Sequence, residues 1–190
     1  HAVPLPVFVL DHGKAPLAGN NVFPAAWRHE ADTMFGLPLP TLRQAPVEAD
    51  AVTTLIDLVE SATGKIDIVT LGPLTNLAEA IMQKPEIADK IGMVTIMGGA
   101  VRVKGNLIVP GFTDHITNKV AEWNLYVDPT AAGIVFESGL PITLVPLDAT
   151  NSVQVTMGLL QTLEENHATP AANFVYEELK KNKGFIQSGE

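Results

Sequence analysis

A glutamate and an asparagine stand two positions apart in the segment Ala121-Glu-Trp-Asn-Leu-Tyr-Val-Asp128, with an aromatic residue between them. In an extended segment, Glu122 and Asn124 would project to one side and Trp123 to the other. A carboxylate accepts hydrogen bonds and an amide both donates and accepts them, so this pair could hold the hydroxyls of a sugar. The alternative is a polar edge that binds no ligand, in which Asp128 caps the helix that follows.

A second candidate is the turn Leu71-Gly-Pro-Leu-Thr-Asn76, which follows a β-branched run. The glycine and the proline force a sharp turn and leave a backbone carbonyl at the end of the strand without a sheet partner. Carbonyl oxygens near carboxylates suit a hard cation such as calcium. The alternative is a plain strand-to-helix turn with Thr75 as the N-cap.

The elements that carry these residues alternate between strands and helices. Apolar β-branched runs predict strands at residues 4–10, 66–71, 91–97 and 141–147, and helical periodicity predicts helices at 47–62, 75–82, from 129, and over most of 153–181. A short helix is expected near 25–31. This order predicts an α/β fold with a mostly parallel sheet flanked by helices. In such folds ligands bind beyond the carboxyl ends of the strands, where the turns at 11–13, 71–73, 97–99 and 148–150 are expected.

The composition excludes several classes of function. The chain has 190 residues, 12 Lys and Arg against 21 Asp and Glu, and no cysteine. A net charge of −9 without a basic run argues against nucleic acid as a partner. The absence of cysteine removes disulfides, cysteine-ligated metals and thiol nucleophiles. No apolar stretch reaches the roughly 18 residues of a membrane span, so no membrane partner is expected.

Several motifs together resemble one enzyme family. They are VTLGPLTNLA at 69–78, IMGGA at 96–100, Gly105-Asn106, AEWN at 121–124 and Asp128-Pro129, in the order and spacing of the inosine–uridine-preferring nucleoside hydrolases. Asp148-Ala-Thr150 is similar to the L-D-x-T segment of that family, and residues 7–17 to its P-V-x-x-G…P-L segment. The resemblance covers about residues 4 to 150 and implies a Rossmann-like core.

The resemblance implies hydrolysis of the N-glycosidic bond of ribonucleosides, which yields ribose and a free base. It also implies a calcium ion that binds the ribose hydroxyls and the attacking water. The backbone carbonyl of Leu71 matches one metal ligand of the family, and Asn124 matches a residue that binds ribose hydroxyls. Asn106 and Glu122 match the pair of residues that holds the 5′ hydroxyl. Met97 matches a side chain that lies against the ribose, and Trp123 matches an aromatic wall.

The chain departs from the family at both ends. The aspartate run D-x-D-x-x-x-D-D, which supplies most calcium ligands and the general base, is absent, and so is a later aspartate segment. We therefore expect residues 1–190 to be a single partial domain, the central portion of a nucleoside hydrolase. No catalytic residue is assigned, and calcium is expected in the complete protein rather than in this chain alone.

Other interpretations of the sequence remain open. The chain could bind a ribosyl ligand without cleaving it, serve as a scaffold, or be complemented by another chain that supplies the missing carboxylates. The loop from Lys104 to Lys119 could be a lid over the base or a surface insertion. The residues assign no compartment and no base preference; the family resemblance favours the cytoplasm and a homo-oligomer.

Overall fold

The computed structural model describes residues 9–10, 15–38 and 47–188. The chain divides into two units. The first comprises His1–Val22 and Leu42–Ala149, and the second comprises Phe23–Thr41 and Thr150–Glu190. Every predicted site residue belongs to the first unit.

The strands of the first unit are all paired in parallel. Strands β1 (Val9–Leu10) and β2 (Val47–Glu48) form one pair, and β3 (Ile66–Thr70), β4 (Ile91–Met97) and β5 (Ile142–Val145) form a sheet in the order β3-β4-β5. Thr70 stands beside Ile96, and Met97 stands beside Val145. The carboxyl ends of three neighbouring strands therefore lie at one edge of the sheet.

Helices connect and follow these strands in the described part of the chain. They are α1 (Ala25–Asp32), α2 (Ala51–Ser61), α3 (Thr75–Gln83), α4 (Trp123–Val127), α5 (Pro129–Glu137), α6 (Leu147–Thr150), α7 (Met157–Glu165), α8 (Pro170–Lys181) and α9 (Lys183–Ser188). Short 3₁₀ turns at Met34–Gly36 and Pro85–Lys90 complete the pattern. The predicted α/β fold with a parallel sheet and flanking helices is confirmed.

The core of the first unit lies between the central strand and helices α2, α3 and α5. Ile91, Val94 and Ile96 of β4 are fully buried, and Val59 of α2 and Val135 of α5 belong to the same apolar cluster. Residues spaced three and four apart along a helix share one face, so each helix presents an apolar stripe to this cluster. Burial of this apolar area holds β4, and with it the edge that carries the site, in a fixed position.

Some predicted boundaries are corrected by the structure. The helix predicted from residue 47 begins at Ala51, because Asp50 accepts the Thr53 amide as the N-cap and Val47–Glu48 pair with β1 instead. Leu74, not Thr75, holds the N-cap position of α3. The strand predicted at 141–147 ends at Val145. Residues 4–8 of the first predicted strand, and the turn at 11–13, lie outside the described residues.

The described part of the second unit contains helices α1, α7, α8 and α9. Thr156 and Thr169 cap helices α7 and α8 through their side-chain oxygens. His167 follows α7 and stacks on the Tyr176 ring, with the two ring centroids 4.5 Å apart. The Tyr176 hydroxyl donates to Glu164, which fastens the two helices together.

Within the described ranges, no helix has both the length and the apolar character needed to span a bilayer.

Candidate functional site

The side-chain amide of Asn124 connects the carboxyl ends of two strands. Its nitrogen donates to the Met97 carbonyl oxygen at 3.0 Å, immediately at the end of β4, and lies 3.5 Å from the Leu71 carbonyl oxygen, just after β3. The Met97 sulfur is a third acceptor, at 3.2 Å. Asn124, Leu71 and Met97 are thus brought together, although 53 residues separate the first two.

This environment determines the orientation of the Asn124 amide. Turning the group over would place its oxygen against two carbonyl oxygens, so the nitrogen must face them. The Asn124 side-chain oxygen lies on the other side of the group, and no described residue donates a hydrogen bond to it. The amide therefore keeps an acceptor that can serve a ligand hydroxyl.

Glu122 organises the backbone around Asn124. One carboxylate oxygen accepts the Asn124 amide at 2.9 Å, and the other accepts the Gly99 amide at 2.9 Å and the Leu125 amide at 3.2 Å. The side chain is only 2% exposed. Hydrogen bonds from neutral N–H groups to a charged acceptor are worth about 1.5–3 kcal/mol each, so Glu122 holds the Gly98-Gly99 turn against the start of α4.

The expectation of an extended segment at residues 122–124 is wrong beyond its first residue. Glu122 has extended backbone angles, with φ −98° and ψ 149°, but the helix begins at Trp123 because the Glu122 carboxylate caps it. Glu122 and Asn124 are therefore associated through a capping hydrogen bond rather than by projecting in parallel from a strand. Trp123 is buried, and its ring meets that of Tyr126 edge to face at 5.8 Å.

Asn106 reaches the same segment from the preceding loop. Its side-chain oxygen accepts the Trp123 backbone amide at 3.0 Å, and its backbone amide donates to the Ala121 carbonyl at 3.2 Å. Gly105 makes this approach possible, since a Cβ at that position would lie 2.0 Å from the Ala121 carbonyl oxygen. Asn106 and Glu122 thus accept hydrogen bonds from two neighbouring backbone amides, those of Trp123 and Asn124.

Asp128 has a larger structural role than the sequence indicated. It caps α5 as expected, by accepting the Ala131 amide at 3.0 Å, but its other oxygen accepts the Thr75 hydroxyl at 2.7 Å and the Leu17 amide at 2.9 Å. Asp128 is fully buried. The only sequence signal for these contacts was a threonine in the turn after β3 and an aspartate before a proline.

A calcium ion does not fit the donor set of the residues that the structure describes. The Leu71 carbonyl is available, but the Asn124 nitrogen, a hydrogen-bond donor, is directed toward it. No cluster of three or more His, Asp or Glu side chains occurs in the described ranges. Because calcium requires about six to eight oxygen ligands, including carboxylates, this donor set cannot hold the ion by itself.

The loop between β4 and α4 is held by hydrogen bonds near its start and within its middle. Asp148 accepts the amides of Val101 and Arg102, each at 2.9 Å, and the Val101 hydrogen bond is the main reason that the pKa of Asp148 lies below its usual value. Further along, the buried Thr113 hydroxyl donates to the Leu107 carbonyl at 2.6 Å. The loop is therefore an ordered structure rather than an unstructured insertion.

A cavity of about 500 Å³ opens beside the Glu122 carboxylate. Gly99, Asn118, Glu122 and Tyr126 contribute to its lining, whereas Leu71, Met97 and Asn124 do not. The cavity therefore includes Glu122 but not the group formed by Leu71, Met97 and Asn124. Asn21, which also lines the cavity, donates to the Tyr126 carbonyl at 2.9 Å.

Comparisons with known proteins identify the family of this chain. The family model for the inosine-uridine preferring nucleoside hydrolases matches residues 5–188. The pyrimidine-specific ribonucleoside hydrolase RihA of Escherichia fergusonii is 34% identical over 154 residues, which cover 77% of this chain and 46% of that protein. The chain spans less than half the length of the curated relatives it matches.

Solved structures show the same fold. An inosine-uridine preferring nucleoside hydrolase from Bacillus anthracis superposes with a TM-score of 0.73 and 27% identity, over 88% of this chain and 55% of the other. A purine-preferring ribonucleoside hydrolase from Gardnerella vaginalis gives a TM-score of 0.72 and 28% identity, over 95% and 55%. The chain belongs to the inosine-uridine preferring nucleoside hydrolase family.

Proposed function

We propose that the protein containing this chain hydrolyses the N-glycosidic bond of ribonucleosides and releases ribose and a free base. The observation that carries the proposal is the Asn124 amide, held between the ends of β3 and β4 with its oxygen directed away from both carbonyls. The family membership and the relatives' names supply the reaction. The geometry supplies a set of groups suited to ribose.

Most of the groups proposed to bind ribose are hydrogen-bond acceptors, and the hydroxyls of ribose can donate to them. The Asn124 oxygen is proposed to bind a ribose ring hydroxyl, and Met97 to lie against the sugar, whereas the Leu71 carbonyl is kept for the metal ion considered below. Glu122 Oε1 accepts one hydrogen bond from the described residues, so it retains capacity for a second from the 5′ hydroxyl. Asn106 and Trp123 are proposed to complete that side of the ribose.

In the reaction these residues would bind and orient the sugar. Glycoside hydrolysis proceeds through a transition state with oxocarbenium character, and sugar contacts that strengthen there lower the barrier. A ribose held by several fixed groups also loses less entropy when it reaches the transition state. No general base is assigned among the described residues, so the activation of water is left to groups beyond them.

Calcium dependence is a separate proposal for the complete protein. It is supported by the resemblance at Leu71, whereas the described donor set does not fit the ion. The test is ribose release by the complete protein with added calcium and with a chelator in excess. Loss of activity with chelator and its return with calcium would support the proposal, and equal rates in both conditions would refute it.

A ribosyl-binding protein without catalysis is the second candidate. The observation that favours it is the lack of a carboxylate cluster in the ranges that the structure describes. A pure binder would bind a nucleoside equally well with and without chelator and would release no ribose. A cytoplasmic location, a role in nucleoside salvage and a homo-oligomer or complementing chain are further proposals that rest on the family resemblance alone.

The deciding experiment measures ribose release from a panel of purine and pyrimidine ribonucleosides. A panel is needed because one relative is named pyrimidine-specific and another purine-preferring. We expect release from at least one ribonucleoside, and much slower release from its 2′-deoxy analogue because an acceptor would lose its hydroxyl partner. Binding without release would favour the second candidate. If the protein neither bound nor cleaved any ribonucleoside, both candidates would be refuted.

A further inference from the structure

Two polar contacts, four residues apart, connect the same pair of segments. The first is between Leu71 and Asn124, and the second is between Thr75 and Asp128. In both contacts the partners are 53 positions apart in the chain. Residues 71–75 and 124–128 therefore lie alongside each other in one register, with a candidate site contact at one end and a buried carboxylate at the other.

The second contact is the firmer of the two. The Thr75 hydroxyl donates to Asp128 at 2.7 Å, compared with 3.5 Å for the Asn124 amide and the Leu71 carbonyl. Asp128 is 0% exposed and accepts two more hydrogen bonds, from the amides of Leu17 and Ala131. Short hydrogen bonds to a buried charge resist displacement more than a long bond between neutral groups.

We infer that Thr75 and Asp128 are positioning residues that set the separation of the Leu71 carbonyl from the Asn124 amide. Thr75 is the first residue of α3 and Asp128 stands between α4 and α5, so their hydrogen bond fixes both helices where they leave the site. Neither residue is assigned any contact with substrate. Displacements of about 1 Å in a site can lower the reaction rate about 100-fold, so loss of this hydrogen bond is expected to slow the reaction.

The inference rests on the proposed function for its kinetic test. Thr75→Val removes the hydroxyl and nearly keeps the shape, while Thr75→Ser keeps the hydroxyl. We expect kcat/KM for ribose release to fall about 10-fold in the Val variant, through misplacement of the ribose groups, and to recover in the Ser variant. The matched control is Ser138→Ala, which removes another partly buried hydroxyl of the first unit that donates to the Val135 carbonyl at 2.6 Å. The control should lose stability without losing kcat/KM.

A second readout does not depend on activity. The side-chain amide of Asn124 gives its own pair of signals in a nitrogen–proton NMR spectrum, identified by their loss in Asn124→Ala. We expect Thr75→Val to shift these signals, and expect Thr75→Ser and Ser138→Ala to leave them in place. If the wild-type protein releases no ribose from any nucleoside, the proposed function fails, and the Asn124 signals still decide the positioning role.

The outcomes separate cleanly. A shift of the Asn124 signals in Thr75→Val, with recovery in Thr75→Ser, supports the inference. Unchanged Asn124 signals in a folded Thr75→Val variant would overturn it, as would a kcat/KM equal to that of wild type. Should the Val variant not fold, Asp128→Asn provides the same test. The side-chain oxygen of the new asparagine can still accept the Ala131 N–H, but its NH2 group replaces the oxygen that Leu17 and Thr75 share.

Discussion

Two adjoining parts of the first unit place their side chains in opposite ways. In the segment 121–128 the polar residues turn inward, with Glu122, Asn124 and Asp128 exposed by 2%, 7% and 0%. In the loop 101–120 several apolar residues are exposed, Phe112 by 59% and Val120 by 72%, although Leu107 is buried. Buried polar groups are costly unless each is hydrogen-bonded, so the inward-facing set must be closely determined by its partners.

The difference indicates where precise geometry is maintained. Each buried polar side chain of the segment makes hydrogen bonds to at least one residue far away in the sequence, whereas Asp114 in the loop accepts, among the described residues, only the amide of Gly111, three residues away. Long-range hydrogen bonds fix one part of the fold against another, while local ones shape only a turn. Substitutions in the segment should therefore cost far more than matched substitutions in the loop.

The largest effect on stability is expected from Glu122→Ala. It leaves the buried amides of Gly99, Asn124 and Leu125 without their acceptor, at a cost of about 3 kcal/mol or more in the free energy of unfolding. Asp114→Ala, which removes a carboxylate from the loop, should cost less than about 1 kcal/mol. Urea unfolding of both variants tests this contrast, and equal losses would show that burial does not distinguish the two carboxylates.

A smaller effect is expected from an added methyl group at Gly105. The new Cβ would lie 2.0 Å from the Ala121 carbonyl oxygen, so residues 105–106 must move away, at about 1–3 kcal/mol. In the loop, Gly111→Ala meets open space and bears only the strain of a φ of +81°, about 1 kcal/mol. Thermal unfolding compares the two, and the Trp123 amide resonance should shift only in Gly105→Ala. An unshifted resonance would contradict the proposed close approach.

A pH effect is expected at Asp148, which joins the loop to the end of β5. The Val101 and Arg102 amides hold its pKa below the ordinary value of 3.8. A carboxylate with a lowered folded pKa stabilises the fold above its unfolded pKa, and this contribution is lost as the pH falls through the folded pKa. The amide shifts of Val101 and Arg102 should therefore stay constant at neutral pH and change at acidic pH with a midpoint below 3.8. A midpoint near pH 5 would contradict the lowered pKa.

The smallest effect is expected from Phe112→Ser at the exposed part of the loop. The unfolding free energy should change by less than about 0.5 kcal/mol, because the ring is mostly in solvent. Ribose release measured on the same variant distinguishes the two interpretations of the loop. An unchanged KM fits a surface insertion, and a raised KM at unchanged stability would mean that the loop covers the substrate.

Much of the architecture could be predicted from local patterns. The run at 91–97 is apolar and β-branched, and it forms β4 over the same residues. Asp128-Pro129 predicted the start of α5 because a side-chain cap and a proline act within one turn. The five-residue helix α4 was missed, since one turn is too short for a helical period to show.

The contacts that shape the site could not be predicted in the same way. The Glu122 carboxylate joins Gly99, 23 residues earlier, and Asp128 joins Thr75 across 53 residues. Such pairs form only after the sheet has brought the strand ends together, so neither segment alone contains the information. The motif resemblance selected Leu71, Met97 and Asn124 as members of one site, and their mutual contacts in the structure are consistent with it.

The central claim is that the Asn124 amide holds the ribose, and ribose release by Asn124→Ala tests it most directly. The measurement uses the complete protein and the ribonucleoside that it cleaves fastest, with Asn166→Ala, whose side-chain amide donates to the Thr162 carbonyl at 2.9 Å, as the matched control. We predict a fall in kcat/KM of about 100-fold or more for Asn124→Ala, because the ribose loses a fixed partner, and a near wild-type value for the control. Wild-type kcat/KM in a folded Asn124→Ala variant would contradict the account.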